Sequence, residues 1–198
     1  MRCNFCESTE FRSVGLRAYA QCANCGSRER HRTVLSLFND ILRDKSKRIL
    51  HFTPNIAWAR IFKEHPYYTV MRYDLRNIPI QSDTMDVVIA SHIMEHICMS
   101  DDLALEEIYR ILKPNGLAII SVPIQPESKG EIYFDANSTD EEREKELGHR
   151  DHYNGYTKQS YRAKLIKAGF FKSRFIAIEK EVGQSISGLL DSIPIAYK

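Results

Sequence analysis

The most regular pattern of apolar and polar positions lies between residues 85 and 122. The run Met85–Ala90 is apolar except for Asp86 and follows a polar, turn-rich segment, which is typical of a buried strand in a parallel sheet. Between residues 100 and 112 the apolar side chains recur every three or four positions, so they share one face of a helix. They are Leu103, Leu105, Ile108, Ile111 and Leu112. A second apolar run at 117–122 completes a strand, helix, strand unit, which takes a right-handed crossover in a parallel sheet.

The ends of this helix have their own sequence features. Ser100 is a candidate cap, and the two acids that follow it are favoured by the helix dipole. At the other end, Gly116 can adopt the left-handed conformation that terminates a helix. The pattern therefore predicts a helix that starts at Ser100 and stops just before Gly116.

The same analysis assigns the rest of the chain. It predicts helices at 27–42, 56–64, 138–147 and 161–168, strands at 47–52, 67–74 and 170–178, a polar loop at 124–137, and an antiparallel edge strand at 193–198. Strands that alternate with helices indicate an α/β fold with a mostly parallel sheet. Ligands of such sheets bind at the carboxyl ends of the strands, which here are Asp74-Leu75, Ser91-His92 and Val122-Pro123.

Four of the five cysteines form two C-x-x-C pairs, Cys3 with Cys6 and Cys22 with Cys25, separated by 15 residues. Paired knuckles at this spacing present four thiolates to a tetrahedral ion, so the pattern predicts a structural zinc site. The alternatives are two disulfides or a redox pair. Cys98 lies outside the pattern, as a buried or half-buried thiol.

Length and charge set the organisation of the chain. Its 198 residues suffice for a small module, which we place at 1–27 as a zinc ribbon, and one domain, which we place at 28–198.

The 28 basic and 26 acidic residues leave a net charge of +2, which favours no particular polyanionic partner. No apolar run reaches the roughly 20 residues of a membrane span, and the polar start does not resemble a signal peptide. We expect a cytoplasmic protein that has no contact with a membrane.

The helix after the second knuckle begins with basic residues, Arg28, Arg30, His31 and Arg32. They could bind a phosphate or nucleic acid, or they could simply form a solvated helix face.

Several motifs match a known family in order. The run DLRNIPIQSDTMDVVIASHIMEHI (74–97), followed by EEIYRILKPNG (106–116) and Val122-Pro123, resembles the second half of the S-adenosylmethionine-dependent methyltransferase domain of the Rossmann-like class, type 11. The segment CGSRERHR (25–32) is similar to the zinc-ribbon-plus-helix prefix of one uncharacterised subgroup. The resemblance implies a Rossmann-like, mostly parallel sheet flanked by helices, with S-adenosylmethionine and structural zinc as cofactors.

The resemblance also implies where the cofactor binds. The family places a glycine-rich loop after the first sheet strand, but this chain has no glycine between Gly26 and Gly116. Its subgroup usually has H-F-A-P-E there, so residues 51–55 fit except for threonine in place of alanine and asparagine in place of the acid. The implied cofactor-binding residues are His51, Phe52, Thr53, Pro54, Asn55, Asp74, Leu75, Ser91 and His92. Without a glycine loop or a carboxylate at Asn55, we expect weaker binding than is usual, in the micromolar to millimolar range.

Only 21 residues separate Phe52 from Asp74, where the family has room for a further helix and strand. We therefore expect a shortened sheet. Asp74 follows the second strand, where an acid ordinarily holds the cofactor ribose, but it also matches the later motif that faces the adenine.

Two histidines are candidates for catalysis. His92 ends a buried strand, and His152 lies in a segment, 148–156, that resembles the Asp-His element with which the family closes the substrate side of the cofactor. Either one is a base for the methyl acceptor or only lines the pocket. His92 and His96 formally match the H-x-x-E-H zinc pattern, but that pattern requires an established helix. We therefore expect no metal on this pair.

Two functions are open from the sequence. The first is methyl transfer from S-adenosylmethionine to an unidentified acceptor. The second is a methyltransferase-like binding module, inactive or weakly active, whose zinc ribbon recruits a protein or RNA partner.

Overall fold

A computed structural model describes residues 1–15, 17–72, 74–177 and 192–198. The strands are β1 (Phe11–Val14), β2 (Arg17–Cys22), β3 (Ile49–Phe52), β4 (Tyr68–Met71), β5 (Met85–Ala90), β6 (Leu112–Ile119), β7 (Ile132–Tyr133), β8 (Asn154–Gly155), β9 (Lys172–Ala177) and β10 (Ser192–Tyr197). The helices are α1 (Glu29–Arg43), α2 (Ala57–Phe62), α3 (Asp101–Ile111), α4 (Asp140–Leu147) and α5 (Lys158–Lys167), with single 3₁₀ turns at Met94–His96 and Glu127–Lys129. Within these residues, no helix combines the length and apolar character needed to cross a bilayer.

The central sheet has the strand order β4-β3-β5-β6-β10-β9. Strands β4, β3, β5 and β6 are parallel, and β10 runs antiparallel to both of its neighbours. This arrangement confirms the predicted α/β fold with a mostly parallel, Rossmann-like sheet.

The β4 edge of the sheet is short. Strand β4 pairs on one side only, with β3, and the described residues between β4 and β5 contain neither a helix nor a strand. This agrees with the expected loss of one strand-helix unit.

The prediction of an edge strand at 193–198 was wrong, because β10 lies inside the sheet and β9 forms the edge. Ile195 packs into the apolar cluster on one face of the sheet and Ala196 into the cluster on the other. A strand that buries side chains on both faces belongs inside a sheet. The end of the predicted strand at 170–178 lies partly outside the described residues.

The predicted ends of α3 also need correction. The Ser100 side chain makes no capping hydrogen bond, and the helix stops at Ile111. The left-handed residue is Asn115, with a φ of 64°, rather than Gly116. Glycine is nevertheless needed at 116, because a Cβ there would lie 2.8 Å from the carbonyl oxygen of Lys113.

The ribbon and α1 cover one face of the sheet, and α3 and α5 cover the other. The Phe5 ring of the ribbon meets the Trp58 ring of α2 edge to face at 4.9 Å, and Trp58 stacks on Phe62 at 5.7 Å. The ribbon therefore shares one apolar core with α1, α2 and the sheet.

Candidate active site and metal centre

The four knuckle cysteines converge on one point. The Sγ atoms of Cys3 and Cys25 are 3.6 Å apart, as are those of Cys6 and Cys22, and all four lie within 4.8 Å of one another. A disulfide would require about 2.05 Å, whereas a tetrahedral zinc ion with Zn–S bonds of about 2.3 Å separates its sulfurs by about 3.8 Å. All four cysteines are free thiols. The cluster therefore fits the predicted zinc ion and does not fit two disulfides.

The knuckle backbone favours a thiolate at one of these positions. Burial alone would raise the pKa of Cys22, but the backbone N–H groups of Cys25 and Asn24 point at its sulfur and lower that pKa to about 7. The tight turn depends on Gly26, which has a φ of 73°. A cysteine whose pKa is lowered in this way is more readily a thiolate, which is the form that binds a metal cation.

The predicted cofactor loop follows β3. His51 and Phe52 are buried, and Thr53 adopts a left-handed φ of 44°, a conformation that β-branched residues rarely take. Asn55 accepts a hydrogen bond at its Oδ1 from the N–H of Ala57 at 2.9 Å. The asparagine side chain therefore holds the first backbone N–H of α2, directly before the N-cap residue Ile56, and a carboxylate at 55 could accept the same hydrogen bond.

His51 is held beneath this loop. Its Nδ1 lies 3.1 Å from the Tyr68 hydroxyl, and its ring meets Trp58 at 5.4 Å. Burial lowers the pKa of His51 to about 3, so the ring is neutral at physiological pH.

This burial predicts acid lability. An unfolded chain protonates His51 near pH 6.5 and the folded chain only near pH 3, so stability falls as the pH drops through that window. At pH 4.5 the buried, neutral His51 lowers the free energy of unfolding by about 3 kcal/mol. In His51→Phe, the difference in unfolding free energy between pH 7 and pH 4.5, measured by urea titration, should shrink by about that amount. The exposed His149, changed to glutamine, is the control. An unchanged difference in His51→Phe would contradict the prediction.

Asp74 and Leu75 lie just beyond β4. The Asp74 carboxylate is exposed and is held by the Arg76 guanidinium, with 2.6 Å from Nη2 to Oδ2. These hydrogen bonds lower the pKa of Asp74 to about 2, so it stays ionised. Leu75 is buried.

The end of β5 carries a histidine in an unusual conformation. His92 has a φ of 56°, and its backbone N–H donates to the carbonyl of Ser121 at 2.7 Å. Its Nδ1 lies 3.1 Å from Oε1 of Glu95, whose side chain is fully buried. Strained residues of this kind are concentrated at functional sites.

The segment 148–156 is fastened to the same place. The backbone N–H of Tyr153 donates to the carbonyl of Glu95 at 2.7 Å, and the Asn154 amide donates to the carbonyls of Met94 and Ile97. These contacts bring His152 beside Glu95, with ligand atoms within 4.8 Å. Burial lowers the pKa of His152 to about 4. The two catalytic candidates, His92 and His152, thus both lie near the carboxylate of Glu95.

The two histidines of the H-x-x-E-H motif, His92 and His96, contact different partners. His96 Nδ1 lies 2.9 Å from the backbone oxygen of Asp151, and its ring meets that of His152 at 4.8 Å. His92 instead contacts Glu95. Among the described residues, the groups that could hold a metal here are Glu95/His96/His152 and His149/Asp151/His152, and neither includes His92.

The basic start of α1 is not a solvated face. His31 and Arg32 are buried, and Arg32 Nη1 donates to the carbonyl of Ser27 at 2.9 Å. The His31 ring lies 6.2 Å from the Trp58 ring of α2, which in turn lies 5.4 Å from His51 of β3. These two residues are therefore interior groups that join the ribbon to the sheet.

A cavity of about 450 Å³ opens between the start of α3 and β7. Its lining includes Asp101, Tyr133, Asn154 and Lys164, and none of the predicted cofactor-binding residues. It is thus separate from the loop after β3.

Sequence reasoning missed Glu95 as a functional candidate. The sequence does show an acid in the turn directly after a buried strand. That acid was considered only as part of the H-x-x-E-H zinc pattern. Its burial depends on segment 148–156, more than 50 residues away, which a local pattern does not reveal.

Comparisons with known proteins agree with this architecture. Residues 44–120 match the type 11 family model described as "Methyltransferase domain". A SAM-dependent methyltransferase from Archaeoglobus fulgidus has a similar structure, with a TM-score of 0.60 and 15% identity over 87% of this chain and 95% of that one. No curated protein matches the sequence. Residues 44–120 are therefore similar to a methyltransferase domain, and the described chain shares its fold with the Archaeoglobus fulgidus protein.

Two further structures show the breadth of the fold. The CurJ carbon methyltransferase aligns with a TM-score of 0.51 and 11% identity over 84% of this chain, which spans 52% of that one. The [4+2]-cyclase SpnF aligns with a TM-score of 0.50 and 13% identity over 86% of this chain and 66% of that one. Fold similarity alone does not identify the reaction, so the function must be argued from the site.

Proposed function

We propose that this protein transfers the methyl group of S-adenosylmethionine to an acceptor at the carboxyl ends of β3, β4 and β5. The observation that carries the proposal is the pairing of His92 with the buried Glu95 where β5 ends, within a methyltransferase domain. Ligands of open parallel sheets bind at this edge.

The cofactor residues divide into two groups. Residues 51–55, with Ser91 and His92, hold the methionine part, and Asp74 and Leu75 hold the adenine. The conformation of Thr53 turns the chain after β3 without a glycine, and the Asn55 side chain accepts a hydrogen bond from the first backbone N–H of α2. The ionised Asp74 has acceptor capacity beyond its contact with Arg76.

The cofactor supplies an activated methyl group, so the protein contributes position and, where the acceptor needs it, a base. Glu95 lies against Nδ1 of His92 and favours the tautomer with the proton on that nitrogen, which leaves Nε2 to accept a proton from the acceptor. His152 is the second candidate. Burial lowers the pKa of His152 to about 4, which makes it a weak base at neutral pH.

The metal role belongs to the ribbon. Cys3, Cys6, Cys22 and Cys25 fill all four positions of a tetrahedral ion, which is the arrangement of structural zinc.

The base role predicts a rate effect in His92→Asn. At saturating S-adenosylmethionine, methyl transfer to any acceptor found by screening with methyl-labelled cofactor should fall roughly 10²-fold to 10⁴-fold. At saturating cofactor the rate no longer depends on cofactor affinity, so a weaker affinity in the variant does not lower the measured rate. His65→Asn, outside the segments assigned to the site, serves as the control and should keep the rate of the parent protein. A His92→Asn protein that transfers at the full rate would exclude His92 as the base.

A further inference from the structure

Two histidine rings and one carboxylate converge where segment 148–156 meets the turn after β5. One ligand atom from each of Glu95, His96 and His152 lies within 4.8 Å of the other two. The rings of His96 and His152 meet at a centroid distance of 4.8 Å and an angle of 81°. The lone pair of an imidazole nitrogen lies in the plane of its ring, so two rings that bind one ion must have planes that intersect. This near-perpendicular pair meets that condition.

A backbone contact fixes the tautomer of His96. Its Nδ1 lies 2.9 Å from the carbonyl oxygen of Asp151, which can only accept a hydrogen bond. The neutral ring therefore carries its proton on Nδ1 and its lone pair on Nε2. Histidines that bind metals almost always donate their other ring N–H to a carbonyl or carboxylate in this way.

The Glu95 carboxylate has one oxygen to spare. Its side chain is 0% exposed, and His92 Nδ1 contacts Oε1 at 3.1 Å. Among the described residues, Oε2 is shielded from solvent and has no hydrogen-bond partner. Buried charges are usually paired or coordinate metals, so Oε2 is a candidate metal ligand.

The two segments that supply these side chains are already joined. The backbone N–H of Tyr153 donates to the carbonyl of Glu95 at 2.7 Å. Ligand atoms of a tetrahedral ion with bonds of about 2.0–2.1 Å lie about 3.3 Å apart. Rotation of the two partly exposed imidazoles therefore has to close a gap of at most about 1.5 Å.

We infer that Glu95, His96 and His152 form a second metal site, which binds a divalent transition metal ion such as Zn²⁺. Two imidazoles and one carboxylate suit zinc, iron or nickel, whereas magnesium and calcium prefer oxygen ligands. His92 is not a ligand in this set, so the site differs from the H-x-x-E-H pair. It holds the opposite oxygen of the carboxylate instead.

This site differs from the ribbon site in one chemical respect. The four cysteines fill every position of their ion, whereas three ligands here leave a position open to water or to a donor atom of a bound molecule. His152 then holds the ion rather than a proton. Binding of this ion does not depend on methyl transfer.

The other candidate group, His149/Asp151/His152, has a less suitable geometry. The rings of His149 and His152 are stacked at 4.6 Å with an angle of only 13° between them. Nearly parallel planes do not meet at one ion, so this pair cannot bind it without a larger rearrangement. His149 is therefore a neighbour of the proposed site rather than a ligand.

Titration with Co²⁺ tests the site. The protein is first loaded with zinc and dialysed against a weak chelator, which leaves zinc only in the tighter four-cysteine site. It should then bind one further equivalent of Co²⁺ with a rise in melting temperature. The visible spectrum should lack the sulfur-to-cobalt charge-transfer band of a cysteine site. Zn²⁺ should displace this cobalt, and Mg²⁺ should not.

The ligand variants locate the ion. His96→Gln and Glu95→Gln should each weaken the binding of Co²⁺ roughly 100-fold or more, since even the loss of a residue that only orients a ligand costs about 10-fold to 100-fold. His96 is partly exposed, so its variant tests the site even where Glu95→Gln does not fold. His149→Gln is the matched control and should bind Co²⁺ as the parent does.

Three outcomes would overturn the site. The first is a parent protein that binds no second equivalent, or binds it with a sulfur charge-transfer band. The second is full affinity for Co²⁺ in the His96→Gln variant. The third is loss of affinity in His149→Gln with full affinity in Glu95→Gln, which would assign the ion to His149, Asp151 and His152 instead.

Discussion

Replacing Cys3 and Cys25 by serine should unfold the ribbon and strip the protein of its metal. Zinc sites of this kind contribute an apparent free energy of about 10–16 kcal/mol in small zinc peptides, which matches or exceeds the roughly 5–15 kcal/mol by which whole domains are stable. Because Phe5 packs on Trp58, the loss should also reach α1 and the sheet face beneath it. Metal content by mass spectrometry and urea unfolding followed by circular dichroism measure the two effects.

Cys98→Ser is the matched control for this experiment. Cys98 is half-buried and its Sγ has a weak contact with the carbonyl of Phe134 at 3.9 Å, far from the other cysteines in sequence. The variant should keep one zinc per chain and lose no more than about 1 kcal/mol. Full metal content in Cys3→Ser/Cys25→Ser would refute the four-cysteine site.

Replacing Lys164 by methionine should destabilise the protein by about 3–5 kcal/mol, because it leaves a buried carboxylate without its counter-charge. Lys164 Nζ lies 3.1 Å from Asp101 and 2.6 Å from Asp102. Asp101 is buried and also accepts a hydrogen bond from the Tyr156 hydroxyl at 2.9 Å. This network ties α5 to the start of α3, directly after the segment that carries Glu95.

Lys167→Met provides the comparison for Lys164→Met. Lys167 pairs with the same Asp102 at 2.6 Å, but its side chain is 67% exposed. Exposed ion pairs contribute about 0–1 kcal/mol, so this change should have little effect on the urea midpoint. If both variants lose the same free energy of unfolding, the stabilising effect of Lys164 does not depend on the burial of Asp101.

The parts of the fold that were predictable are those set by local pattern. The apolar run at β5 and the spacing within α3 specify a strand and a helix whatever surrounds them, and both were found. The strand position of β10 was not predictable, because it depends on burial against β6 and β9 rather than on its own residues. Asn115, rather than Gly116, takes the left-handed conformation, and position 116 needs glycine for another reason, the close approach of the Lys113 carbonyl oxygen.

The candidate site divides in the same way. The cysteine cluster was predictable, since the spacing of two C-x-x-C pairs constrains the geometry directly. Glu95 was not, because its burial arises from the packing of segment 148–156 beside the end of β5. A sequence shows which residues carry charge, but only the packing shows which of them lack a partner.

Titration of the protein with S-adenosylmethionine, by calorimetry and thermal denaturation, tests the central claim most directly. A dissociation constant between micromolar and millimolar is expected, with further weakening in Asp74→Ala. At a ligand concentration 100 times that constant, the native state should gain about 2.7 kcal/mol and the melting temperature should rise. If saturating S-adenosylmethionine gives neither heat nor a higher melting temperature, methyl transfer is excluded, and the chain is a methyltransferase-like binding module.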